Sequence, residues 1–67
     1  MNPGDKVRVV PAGEHRAFLE ELADLEGEIV KESSRPGYWI VRFALPVPFG
    51  TPKYISLTIP KENLRNA

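Results

Sequence analysis

YWIVRF, residues 38–43, holds the only tryptophan of the chain. The way its side chains alternate decides the fold. Every member except Arg42 is aromatic or β-branched, a composition that fits a pleated, half-buried strand. Successive side chains of a strand point to opposite faces, so Trp39, Val41 and Phe43 share one side and Tyr38, Ile40 and Arg42 the other. A guanidinium is seldom fully buried. The Arg42 side is therefore expected to face solvent, and the Trp39 side to fill the core.

Working outward, SSRPG (33–37) reads as a turn, with Pro36 and Gly37 as punctuation and Ser33 and Ser34 as caps. EIVKE (28–32) precedes it as a second strand. DKVRVV (5–10) alternates Val7 and Val9 with Lys6 and Arg8, and is bounded by Pro3–Gly4 and Pro11–Gly13, which makes it the first strand. Between these two, Phe18, Leu19, Leu22 and Leu25 recur at helical spacing while Glu20, Glu21 and Asp24 take the other face. The spacing predicts a helix of two to three turns within Glu14–Glu26, stopped by Gly27. So short a helix is marginal alone and must lay its Phe/Leu stripe on the sheet.

Beyond the third strand, LPVPFGTPK (45–53) contains Pro46, Pro48, Pro52 and a glycine and cannot pair along its length, so it reads as a long loop. YISLTI (54–59) sets Ile55, Leu57 and Ile59 against Tyr54, Ser56 and Thr58, a fourth strand. PKEN (60–63) reads as one turn of tight helix with proline first. Leu64 and Arg65 form a very short last strand.

The chain has 67 residues, no cysteine, and nine basic against nine acidic side chains. A domain of this size buries only about 60% of the surface its unfolded chain exposes, so large apolar side chains are structural first. Without cysteine, neither a disulfide framework nor a thiolate metal site reinforces it. The N-terminus lacks a secretory pattern and no apolar run approaches the roughly 20 residues of a membrane span. These features fit a soluble, complete, cytoplasmic domain spanning 1–67. The balanced charge disfavours indiscriminate binding to nucleic acid or membrane. Residues 14–32 nevertheless carry seven carboxylates against two cations, and residues 33–67 five cations against one carboxylate. Such a distribution either orients a charged partner or simply keeps the surface solvated.

The element order, mainly β with a helix between strands one and two and a one-turn helix before the last of five short strands, is that of a small SH3-like barrel, a closed form that removes exposed edges. GDKVRV (4–9), EGEIV (26–30), YWIVRF (38–43) and FGTP (49–52) resemble the SH3-like barrels of the KOW group, found in ribosomal proteins and transcription elongation factors. That resemblance implies a tight approach of the first two strands at Gly27. The chain is also similar to the small barrel protein of photosystem I and to the variable chain of ferredoxin–thioredoxin reductase, barrels that dock electron carriers or larger proteins without chemistry of their own. HRAFLEELADLEG (15–27) is acidic where RNA-binding KOW barrels usually present a basic or glycine-rich loop. The aromatic ladder with which signalling SH3 domains grip proline-rich peptides is missing from the first loop.

Catalysis has little to stand on. His15 is the only imidazole, and beside Glu14 and Arg16 it reads as a surface group rather than a general base. Ser33 and Ser34 have no activating base in the pattern, and Glu20, Glu21 and Asp24 lack the further ligands of a metal site. One family of SH3-like barrels, the type II dihydrofolate reductases, is catalytic, but its Val-Gln-Ile-Tyr segment is not matched by KYIS (53–56). No cofactor is expected. The remaining candidates are surfaces. Tyr38, Arg42 and Tyr54 would form an aromatic and guanidinium patch that anchors an interface or stacks on bases, or else merely shields the sheet. Phe49 at a loop tip either caps the barrel or meets a partner, and Lys53, Lys61 and Arg65 would add a basic rim. The expected function is docking onto a protein, with self-association as a further possibility. The alternative is an RNA or DNA contact through Lys6, Arg8, Arg42, Lys53, Lys61 and Arg65.

Overall fold

The alternation around Trp39 places β3 (Tyr38–Leu45) in the middle of a sheet. The structure is a computed structural model that describes residues 1–45, 50 and 53–67, with His15 given by its backbone alone. β3 lies between β2 (Glu26–Glu32) and β4 (Lys53–Pro60), β1 (Lys6–Val9) pairs with the far side of β2, and β5 (Leu64–Asn66) pairs with β1. All pairings are antiparallel, and the order across the sheet is β4-β3-β2-β1-β5. A 3-10 turn at Gly13–His15 leads into α1 (Arg16–Leu22), and a second at Lys61–Asn63 joins β4 to β5. That last connection therefore links the two edge strands. No described helix is long and apolar enough to cross a membrane.

One face of the sheet carries the core. Val7 and Val9 on β1, Ile29 on β2, Val41 and Phe43 on β3, Ile59 on β4 and Leu64 on β5 are buried, each on the parity its strand predicts, and Leu19 and Leu22 of α1 close over them. Phe43 is the largest fully buried side chain, and withdrawing it from water stabilises the fold by on the order of 2–3 kcal/mol. Trp39 does not fill the centre as expected; it is half-buried, packed against the cluster from outside. The reason is its register. It pairs with Glu32 and Ile59 near the end of β3, where the sheet ends and Lys61 comes to 5.2 Å from the ring.

Three other expectations are corrected. Gly27 is not a helix stop: α1 ends at Leu22, and the chain turns through Ala23 N donating to Glu20 O (3.3 Å) and Leu25 N to Leu22 O (3.0 Å). Gly27 sits inside β2, facing the core, where a Cβ would lie 2.6 Å from Val41 Cγ1 and 2.8 Å from Phe43 Cε1. The tight approach at this glycine thus involves side chains of β3. Phe18 leaves the apolar stripe and is 51% exposed, because neighbouring positions on a helix point about 100° apart and Leu19 takes the inward direction. Pro60 ends β4 and precedes the second 3-10 turn rather than opening it.

Asn63, the one buried polar side chain among the described residues, fastens this turn. Its amide donates to Val10 O (3.0 Å) and Ala12 O (3.2 Å), while Val10 N donates to Asn63 O (2.7 Å). The exit of β1 is thereby tied to the entry of β5. Between Ile29 and Lys31 the β2/β3 register shifts at Val30, a bulge that bends the strand pair.

Candidate functional site

The solvent side of the sheet is built from the residues that alternate with the core. Glu28 of β2 lies between Lys6 of β1 and Arg42 of β3 because all three are cross-strand partners. Lys6 Nζ reaches Glu28 Oε1 at 2.7 Å, and Arg42 Nη2 reaches Oε2 at 3.4 Å. Arg42 also lies over the ring of Tyr54, 5.1 Å from its centroid. The hydrogen bond from Lys6, and then its charge, hold the Glu28 carboxyl below its ordinary range, and the same contacts with Glu28 raise the Lys6 ammonium. Arg42 and Tyr54 are thus brought together as predicted, with the guanidinium already engaged on both sides.

Tyr38 belongs to a different place. It stands four residues from Arg42 on β3, about 13 Å along the strand, opposite Pro60 of β4. The Arg35 guanidinium lies 4.4 Å from its ring, and Tyr38 N donates to Arg35 O (3.3 Å) across the turn. Two adjoining clefts of about 400 and about 500 Å³ open here, sharing Glu14, Tyr38 and Pro60. Phe18 and Leu19 of α1 line the first, and Glu62 and Asn63 the second. Aromatic and proline surface therefore forms the floor, with carboxylates beside it. Neither Glu14 nor Glu62 forms an ion pair with a described side chain.

The basic rim is not assembled at one spot. Lys53 opens β4 and Lys61 follows its end, eight residues on, while Arg65 lies on β5 opposite Arg8 at the far edge of the sheet order. Lys61 is occupied, 3.7 Å from a Glu32 carboxylate oxygen and over Trp39. Phe49 lies outside the described residues. Reading the sequence alone misses Phe18, Arg35 and Glu28 as surface participants. Phe18 and Leu19 adjoin on a short helix and cannot both face inward, which is the signal for the first. Cross-strand registry, invisible in one sequence, makes the other two. Among the described residues no group of three metal-ligating side chains comes together.

Comparison with protein-family models, with curated proteins and with solved structures finds no match to this chain.

Proposed function

We propose that the chain is a non-enzymatic docking domain with an SH3-like barrel fold, and that it grips a protein segment in the double cleft around Tyr38. The curled form is supported by chain length. Flat, the five strands would set β4 and β5 about 19 Å apart at roughly 4.8 Å per strand spacing. From Pro60 to Leu64 the chain advances four residues, which reach at most about 14 Å when fully extended and less as a 3-10 turn. A sheet joined so closely at its edges has to curl.

Phe18 carries the docking reading. A phenylalanine half exposed beside a half-buried tyrosine and a proline is the aromatic anchor surface that protein interfaces use. Glu14 and Glu62 supply negative charge at the rim, so the matching partner is a segment with a lysine or arginine next to apolar residues. Peptides selected on the immobilised domain from a random display library should show that composition. Phe18→Ser, an exposed substitution, should leave the fold intact and weaken the selected peptide roughly tenfold or more, the loss typical of an interface anchor. Selected peptides that bind the Phe18→Ser variant equally well refute this placement.

A second reading has its own observation. The solvent side of the sheet bears Lys6, Arg8, Lys31, Arg42 and Arg65 against Glu26 and Glu28, whereas the exposed carboxylates Glu20, Glu21 and Asp24 belong to the segment covering the other side. Such a face suits a phosphate backbone. Binding to mixed duplex DNA would then fall with salt at a log–log slope of about −0.9 per phosphate contact. Absence of binding at low salt removes this reading.

A further inference from the structure

We infer that two copies of the chain pair edge to edge through β4, antiparallel about a two-fold axis at Leu57. Among the described residues β4 pairs only with β3, so one side of an eight-residue strand presents unpaired backbone groups. An edge of this length is a template for another strand unless charge or proline interrupts it. Here both devices stand at the ends alone: Lys53 opens the strand, Pro60 closes it, and YISLTI between them carries no charge.

The occupant follows from the strand's own symmetry. Ile-Ser-Leu-Thr-Ile, residues 55–59, reads nearly the same in both directions about Leu57. Residues directly opposite in an antiparallel pair point to the same face, so the core side of each copy continues into the other only in registers that match parity. Centred on Leu57, Ile55 meets Ile59 of the second copy, Leu57 meets Leu57, and on the solvent side Ser56 meets Thr58, a hydroxyl pair that favours pairing. The neighbouring allowed register, centred on Ser56, would set Lys53 against Ile59, which is buried. Ile55 and Leu57 are only partly buried beside the core, and the symmetric register covers them. Pro60, which has no N–H, ends the ladder opposite Tyr54.

Sedimentation velocity at increasing protein concentration reads this out. The wild-type chain should move from its 7.5 kDa mass towards twice that value as concentration rises to the millimolar range. Ser56→Lys with Thr58→Lys sets like charges opposite one another across the two-fold and should stay monomeric. Ser56→Glu with Thr58→Glu should do the same alone. An equimolar mixture of the two double variants should recover the dimer. Ser56 and Thr58 are exposed, and circular dichroism of each variant verifies that it is folded. A wild-type chain that stays monomeric to millimolar concentration overturns the inference. So does a dimer that survives in both double variants, or a mixture of folded variants that fails to associate.

Discussion

Replacing Gly27 by alanine probes how closely β2 lies on the core. The added methyl carbon would sit 2.6 Å from Val41 Cγ1 and 2.8 Å from Phe43 Cε1, whereas carbon atoms pack best at about 3.5–4.0 Å. Both neighbours are fully buried, so neither can swing into solvent. Relief requires about 1 Å of movement in β3 or off-rotamer side chains. Overpacking of this kind costs roughly 1–3 kcal/mol, against a gain of about 0.5–1 kcal/mol from removing glycine from a strand. The net is a loss of about 1–2 kcal/mol. For 67 residues total stability is on the order of 3–10 kcal/mol, so the change is large. Urea unfolding followed by Trp39 fluorescence and circular dichroism should show the midpoint lowered by about 1 M, given a slope of about 1–2 kcal/mol/M. Adding Val41→Ala removes the 2.6 Å contact, so the double variant should lose less than the two single losses added, by at least about 0.5 kcal/mol. A Gly27→Ala variant as stable as wild type, or strict additivity with Val41→Ala, refutes the close approach.

Phe43→Ala should cost about 3–5 kcal/mol, and Trp39→Ala distinctly less because its ring is only half-buried; thermal melts of the two variants rank them, and the reverse order would contradict the placement of the core. Asn63→Ala leaves the carbonyls of Val10 and Ala12 without their donor and should cost about 1–3 kcal/mol. Asn63→Asp, which sets an acceptor against those oxygens, should be worse at neutral pH; equal melting temperatures would count against this tie. The Lys6–Glu28 pair predicts a pH signature. The carboxyl lies below its ordinary 4.5 when folded, so its contribution is present above that value and lost as pH falls through the folded pKa. The ammonium lies above 10.5, so its contribution is present below that value and lost as pH rises through the folded pKa. The stability difference between wild type and Lys6→Met should therefore be flat between these limits and shrink beyond each, and a difference independent of pH from acid to alkali would show the pair to be energetically silent.

Period-two alternation makes β1, β3 and β4 legible, and the parity of Val7, Val9, Val41, Phe43 and Ile59 follows directly from it. Strand ends differ by one or two residues because pairing, rather than propensity, sets them: Leu45 and Lys53 are extended since they oppose each other. Gly27 misleads because a glycine after a helical pattern and a glycine in a crowded strand look alike in one dimension. Its role emerges only once Val41 and Phe43 are seen above it. The surface is less legible for the same reason. Arg42 with Tyr54 follows from alternation, but Glu28 enters only through registry across β1, β2 and β3. Phe18 reads as core in the sequence because hydrophobicity carries no direction, and a seven-residue helix has room for only a narrow inward stripe.

Amide chemical-shift mapping of the isotope-labelled domain, titrated with a library-selected basic and apolar peptide, bears most directly on the docking claim. The largest shifts should cluster at Glu14, Phe18, Tyr38 and Glu62. Shifts confined to Lys6, Glu28, Arg42 and Tyr54, with the Phe18 and Tyr38 amides unmoved at saturation, would place the partner on the other side of the domain and contradict the account.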